Sequence, residues 1–311
     1  MKNIRDVIFV VIGFFQSWLL LRKLHPDGIF IKGGFVGVPV GFAAALHKIP
    51  YITHDSDALP GLANRIISRW AVMHSVALPK EIYKYPQHKT ITVGVPIHAN
   101  YQPITSNMQL KYRNEIGLGE YKKIVLITGG GLGARRLNLS VAEIIPALLQ
   151  QYPDLAIVHT VGRGNEKTMR DIYEQQLTPS ELNRVIVEGY LTDLFRYSGA
   201  ADVIIARAGA TNLAEFAVQG KACVIVPNPQ LTGGHQLKNA DYLADQKAIE
   251  VVTEQDIRNN NDALKSAVQA LLDNEALREK LGINLATFAQ PNAALLLAQL
   301  LLKAALKQAT S

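Results

Sequence analysis

The chain has 311 residues, 48% hydrophobic and 19% charged, enough apolar mass for two ordinary domains and a composition that argues against wholesale disorder. A net charge of +6 and a pI near 9.2 admit nucleic acid, an anionic membrane or phosphorylated substrates as partners. With no arginine-rich arm, zinc-ligand spacing or aromatic RNA-binding signature, nucleic acid is the weakest of the three. The one cysteine, Cys223, excludes an intrachain disulfide framework and reads as a small core residue in a reducing compartment.

Residues 7–21 are mostly apolar but interrupted by Gly13, Gln16 and Ser17. At 15 residues the stretch is short for a membrane span, and Arg22-Lys23 stands where a signal peptide wants small residues, so a buried or interfacial helix is expected. His25-Pro26-Asp27-Gly28 ends it. Ile29-Phe30-Ile31 then reads as a strand, residues 38–46 as a helix, Pro50-Tyr51-Ile52-Thr53 as a strand and residues 61–70 as a helix. Around residues 95–120 the pattern loosens into Pro, Asn, Gln and Ser, and an interdomain linker is expected at 101–120. Strands at 123–128, 156–160, 185–187, 203–206 and 222–227 follow, with helices between them and terminal helices at 262–272 and 293–307. Short strands alternating with helices imply α/β domains built on parallel sheets. The expected boundaries are a first domain at 1–100, a second at 121–285, and a C-terminal helical segment at 286–311 that packs back on the first domain.

Ligands in such folds sit beyond the carboxyl ends of the strands. Three loops there carry chemistry. Residues 128–138, Thr-Gly-Gly-Gly-Leu-Gly-Ala-Arg-Arg-Leu-Asn, lead from a strand into a helix, where glycines let backbone N–H groups approach a phosphate. The spacing is neither a Walker A loop nor a clean dinucleotide fingerprint. Residues 206–215 repeat the strand-to-helix arrangement, with Glu215 read in the first helical turn, either holding a ribose diol or complementing the helix dipole. Residues 227–240 form a polar loop entering a helix with Gln236 and Asn239, a binding loop or a solvated one. Asp55-Ser56-Asp57 matches the bare Asp-x-Asp pattern of metal-dependent transferases, but no further carboxylates complete an oxygen cage, and no metal is expected.

Taken together and in order, Gly-Gly-Gly-Leu-Gly-Ala-Arg-Arg-Leu-Asn (129–138), Ala-Asp-Val-Ile-Ile-Ala-Arg-Ala-Gly-Ala (201–210) with Glu215, and His-Gln-Leu-Lys-Asn-Ala (235–240) resemble the donor domain of the family 28 glycosyltransferases. Lys32-Gly33-Gly34-Phe35-Val36 and Pro60-Gly61-Leu62-Ala63-Asn64-Arg65 resemble the family's acceptor domain, so the likeness spans nearly the whole chain. The resemblance implies a GT-B fold, two Rossmann-like doubly wound domains facing a cleft. It implies inverting, metal-independent transfer of N-acetylglucosamine from UDP-N-acetylglucosamine to an undecaprenyl-diphosphate-linked muramoyl-peptide acceptor, with no cofactor. Carried over by position, Leu191 would contact uracil. Ala210, Thr211, Asn212, Leu213, Ala214 and Glu215 would wrap ribose and phosphates, with Glu215 on the ribose hydroxyls. Gly131 would sit at the diphosphate and Gln236 on the sugar, with Asp57 and His98 also at the UDP-sugar site.

Three positions depart from the family pattern: Gly131 replaces serine, Asp57 asparagine and His98 arginine. The family's opening strand and Gly-Gly-x-Gly-Gly-His loop have no counterpart, a shortfall of about two strand–helix units, so an incomplete N-terminal domain is expected, from a truncated gene model or a split enzyme with a partner subunit. The catalytic base is unassigned; His54 and Asp57, at a strand end, are weak candidates. The basic balance and the first helix suit peripheral docking on the cytoplasmic face of the cell membrane. Two rivals stand beside the transferase: a UDP-sugar epimerase of the same fold and a donor-binding subunit.

Overall fold

The computed structural model describes residues 2–230 and 232–309, so Leu231 of the third loop lies outside them. The chain divides into two compact units, one formed by residues 1–96 and 290–311, the other by residues 97–289.

The first unit opens with α1 (Lys2–Leu24). Phe14, Trp18 and Leu21 turn toward α2 (Gly37–Leu46), and the Trp18 ring lies 4.0 Å from that of His47, just beyond the α2 terminus. Among the described residues no helix is long and apolar enough to cross a membrane. The opposite face of α1 leaves Phe15, Leu19, Leu20 and Leu24 exposed. Strands β1 (Ile29–Ile31), β2 (Tyr51–Asp55), β3 (Met73–Val76) and β4 (Thr90–Thr92) form a parallel sheet in the order β1-β2-β3-β4, with α3 (Leu62–Ile67) between β2 and β3. Strand β3 escapes a hydropathy reading because Met-His-Ser-Val is half polar. It is nonetheless buried from His74 to Val76, because its polar groups are paired sideways. Thr53 Oγ1 meets His74 Nδ1 at 2.8 Å, and Ser75 Oγ donates to the Thr53 carbonyl at 2.7 Å.

The second unit opens with α4 (Ser106–Glu115), inside the stretch read as a linker. Thr105 caps it, accepting from the Met108 N–H, and it packs on α8 (Leu194–Ala200). Arg113 locks it there with a two-pronged bond to Asp202 at 2.7 and 2.8 Å. The segment is polar because the short helix leaves no residue fully buried. Six parallel strands make the sheet: β5 (Lys123–Thr128), β6 (Leu155–Thr160), β7 (Val185–Glu188), β8 (Val203–Ala206), β9 (Ala222–Ile225) and β10 (Glu250–Val251). Their order is β10-β9-β8-β5-β6-β7, so the winding reverses between β5 and β8. The strands are apolar on both faces because both faces are covered. Val125 and Ile127 pack with α5 (Arg135–Gln151) and α12 (Asp262–Asp273); Ile124 and Leu126 share the other core with α9 (Ala210–Gln219) and α13 (Glu275–Ala286). Cys223 is a fully buried core residue in β9. Helices α6 (Glu166–Gln176), α7 (Pro179–Leu182), α10 (His235–Asp245) and α11 (Asp256–Asn259) complete the unit.

The chain then returns to the first unit as α14 (Ala293–Ala309), which packs against β2 and buries Ala293 and Leu297. Two glycines make room for it. A Cβ on Gly28 would meet Leu301 at 3.3 Å, and one on Gly94, at φ +81°, would stand 2.2 Å from the Gln290 Cβ.

Candidate nucleotide-binding site

In doubly wound sheets the binding crevice opens where the winding reverses. In the second unit that point lies beyond β5 and β8, and a cavity of about 600 Å³ opens there. Its wall comes from His98, Asn100 and Tyr101, from Thr128 at the end of β5 with Gly130 and Gly131 after it, from Thr160 at the end of β6, from residues 189–196 after β7, and from Asn212 and Glu215 on α9.

The β5 loop is shaped by backbone contact. Gly130 and Gly133 take φ of +83° and +74°, and the Gly133 N–H donates to the Gly130 carbonyl at 2.9 Å. A Cβ on Gly133 would lie 2.2 Å from the Val161 carbonyl oxygen, and one on Gly162 would lie 2.3 Å from the Gly133 nitrogen. The loop therefore rests on the turn after β6 with no side chain between them. That turn is held from below: Asn138 Nδ2 donates to the Val161 carbonyl at 2.8 Å, and Asn138 Oδ1 stands 3.3 Å from His159 Nε2. His159 Nδ1 in turn meets the Tyr173 hydroxyl at 2.7 Å. Burial pushes the His159 pKa down to about 3, so the ring is neutral, and its two bonds assign Nε2 as donor and Nδ1 as acceptor. The Asn at the end of the 129–138 motif is thus the brace of its glycines. Gly131 is different. A Cβ there would meet only the Tyr190 ring, at 3.6 Å.

Helix α9 starts at Ala210, so Glu215 stands in its second turn, not its first. The helix begins directly after Gly209 because Gly209 supplies the extended N-cap conformation and the carbonyl that accepts from the Leu213 N–H. Dipole complementation by Glu215 is thereby removed, since the effect is confined to the first turn. The N–H groups of Ala210, Thr211 and Asn212 precede the first intrahelical bond, and no side chain caps them. Leu213 is buried in the core, Ala210 and Ala214 are half-buried and Thr211 is exposed; none of the four lines the cavity. Burial pushes the Glu215 carboxyl up to about 7, against a hydrogen bond from Tyr101 that lowers it. Tyr101, missed by sequence reasoning, lies in an aperiodic polar stretch with only His98 as a cue.

The remaining candidates divide. His98 and Leu191 line the same cavity, and His98 Nδ1 accepts from the Asn100 N–H at 3.2 Å. Gln236 does not line it; its Oε1 accepts from the Asn228 N–H at 2.9 Å and closes the polar loop. Asn239 donates to the Ala208 carbonyl at 3.1 Å, tying α10 to the loop after β8. Arg207 donates to the Val226 carbonyl and pairs with Glu254, which also bonds Arg136. Burial raises the Glu254 pKa, but these two arginines outweigh it and the net shift is downward.

Asp57 and His54 belong to the first unit. The Asp57 carbonyl accepts from the Tyr83 hydroxyl at 3.0 Å. His54 is fully buried, with Nδ1 3.2 Å from Ser75 Oγ, and burial, then Lys32, hold its pKa down to about 4. Asp55 accepts from the Gly61 N–H, Asn64 Nδ2 and the Tyr85 hydroxyl, each at 2.9 Å. Its carboxylate is consumed by the turn it closes.

Residues 124–295 match the family model described as the glycosyltransferase family 28 C-terminal domain, and residues 1–74 match that of its N-terminal domain. A relative from Natranaerobius thermophilus, named UDP-N-acetylglucosamine–N-acetylmuramyl-(pentapeptide) pyrophosphoryl-undecaprenol N-acetylglucosamine transferase, is 33% identical over 279 residues, covering 88% of this chain and 75% of that protein. The crystal structure of Acinetobacter baumannii MurG superposes with a TM-score of 0.73 at 27% identity, covering 95% of this chain and 80% of that one. A UDP-GlcNAc 2-epimerase from Neisseria meningitidis bound to UDP-GlcNAc reaches a TM-score of 0.64 at 14% identity, over 95% and 81% of the two chains, a likeness of fold alone.

Proposed function

The chain belongs to glycosyltransferase family 28, and from that premise we propose that it transfers N-acetylglucosamine from UDP-N-acetylglucosamine to an undecaprenyl-diphosphate-linked muramoyl-peptide acceptor, in peptidoglycan synthesis. Its fold is of the GT-B type, two parallel-sheet α/β units. The observation that carries the reading is the cavity at the sheet's reversal point, which draws together His98, Gly131, Leu191, Asn212 and Glu215 from separate segments.

In this reading the acceptor hydroxyl oxygen attacks the anomeric carbon as the bond from that carbon to the diphosphate breaks. The configuration inverts, the hydroxyl proton is lost to a base, and UDP leaves with the electron pair. Negative charge builds on the diphosphate. The β5 glycine loop and the free N–H groups at the start of α9 are suited to receive it, because fixed dipoles need no reorganisation as the charge develops. Glu215 accepts from the ribose hydroxyls and Leu191 lies along uracil, while Gln236, outside the cavity wall, is assigned to the sugar from the family resemblance alone. Asp57 and His98 contribute to the donor site, and the base stays unassigned between His54, Asp57 and other groups. Burial and a low pKa make His54 a weak proton acceptor. The reading includes a peripheral position on the cytoplasmic face of the membrane, supported by the exposed apolar face of α1 with Arg22 and Lys23 at its end.

Incubating the full chain with UDP-N-acetylglucosamine and the lipid-linked acceptor tests this: the expected product is the disaccharide-bearing lipid plus UDP. Epimer formation from the nucleotide sugar without acceptor overturns the transferase reading in favour of an epimerase. Donor binding with no transfer leaves a donor-binding subunit.

A further inference from the structure

The turn after β6 carries a cation that the donor site described above does not use. Arg163 follows Gly162, the residue whose backbone touches Gly133. Its N–H donates to the Gly131 carbonyl at 3.5 Å. The backbone around it is held further by Asn165, whose Nδ2 donates to the carbonyls of Val161 and Gly162, the two residues before Arg163. The guanidinium lies over the Tyr190 ring, 3.9 Å from the centroid. Tyr190 itself lines the cavity, and among the described residues, chain neighbours aside, it alone comes within 4 Å of where a Gly131 Cβ would stand. One aromatic ring is thus the neighbour of both the guanidinium and the glycine loop.

Arg163 stands behind Tyr190 in the cavity wall, and the arginine that lines the cavity itself is already engaged. Arg196 pairs with Glu115 and with Asp193, each at 3.4 Å. Arg163 has no acidic partner among the described residues; its partner is a ring face. A guanidinium on an exposed ring keeps its N–H donors available, and a phosphate offers it two-pronged, charge-assisted bonds that a ring does not. Gly131, for its part, offers the loop no side-chain hydroxyl.

We propose that Arg163 binds the diphosphate of the nucleotide donor and that Tyr190 is the positioning residue that holds its guanidinium at the edge of the β5 loop. This rests on the reading of the cavity as a nucleotide-sugar site. Binding of UDP and of uridine to the full chain tests it, using wild type, R163Q, R163K, Y190A and the R163Q/Y190A pair. R163Q weakens UDP roughly tenfold or more and leaves uridine within about twofold. R163K recovers part of the loss, because it restores charge without the planar fork. Y190A loses less than R163Q and adds nothing further in the double variant, the signature of one residue acting through the other. The inference is overturned if R163Q binds UDP as wild type does, or if UDP and uridine weaken in proportion. If wild type binds neither ligand, the nucleotide-sugar reading itself fails, and the inference with it.

Discussion

The strand ends of the two units handle polar residues in opposite ways. Beyond β2 the chain reads His54-Asp55-Ser56-Asp57, which looks like chemistry, yet Asp55 is closed by three donors and His54 is buried against Ser75. Beyond β5 it reads mostly glycine, which looks like a turn, yet the backbone there borders a cavity. Topology accounts for part of the difference. The first unit's described strands run in one direction, β1 to β4, whereas the second unit reverses between β5 and β8 and leaves a crevice. At the crevice of the second unit, absent side chains are the functional feature; at the end of β2, the Asp55 carboxylate is spent on structure.

Four substitutions press on that contrast. The largest effect belongs to Gly133→Ala, whose Cβ would stand 2.2 Å from a backbone oxygen at positive φ. It should cost roughly 2–4 kcal/mol in denaturant unfolding and abolish UDP binding by titration calorimetry. Unchanged binding would show that the loop's contact with the β6 turn does not shape the site. Asp55→Ala comes next: three donors lose their acceptor, and the expected loss is about 2–3 kcal/mol, read as an earlier unfolding transition with UDP binding retained. A loss of UDP binding with stability intact would make that strand end a ligand site after all.

Third is Glu215→Gln, followed by pH. Burial raises the Glu215 pKa in the folded chain to about 7, above its ordinary value of 4.5. The stabilising contribution is therefore full below about pH 4.5 and lost as pH rises through 7. The variant should be more stable than wild type at pH 8, with the gap closing by pH 5. Affinity of wild type for UDP-N-acetylglucosamine, whose doubly esterified diphosphate does not titrate in this range, should fall between pH 8 and 6, as the carboxylate gains a proton and stops accepting from ribose, while the variant's weaker affinity stays flat. A flat wild-type profile removes Glu215 from the nucleotide. The smallest effect is expected of Gly131→Ser, where the added Cβ meets only the Tyr190 ring at 3.6 Å. Stability should change by less than about 0.5 kcal/mol. A large loss would mean that Gly131, like Gly133, is a backbone requirement.

Most of the fold was legible in the chain because its buried strands are continuous apolar runs; β5 at Lys123–Thr128 and β1 at Ile29–Ile31 are read at their observed bounds. What escaped was buried polarity. Strand β3 hides behind His74 and Ser75, whose partners lie on β2, and such sideways pairing leaves no period to detect. Helix α4 hides because one face packs through Gln109 and Arg113 rather than apolar side chains. At the site, the glycine loop and Glu215 announce themselves by type and place. Tyr101 and Arg163 do not, since each matters only through a neighbour far along the chain, Glu215 for one and Tyr190 for the other.

The first unit is built from both ends of the polypeptide, with α14 lying on β2 and Gly28 hollowed out for Leu301 and Ala305. During synthesis the ribosome delivers β1 to β4 before the second unit, but the helix that covers β2 emerges only after it. The second unit has all its own residues and can close first. The amino-terminal sheet must wait, part of its apolar surface open, until α14 has been made. A stop codon inside α14 would therefore injure a sheet encoded far upstream of it, at residues 29–92.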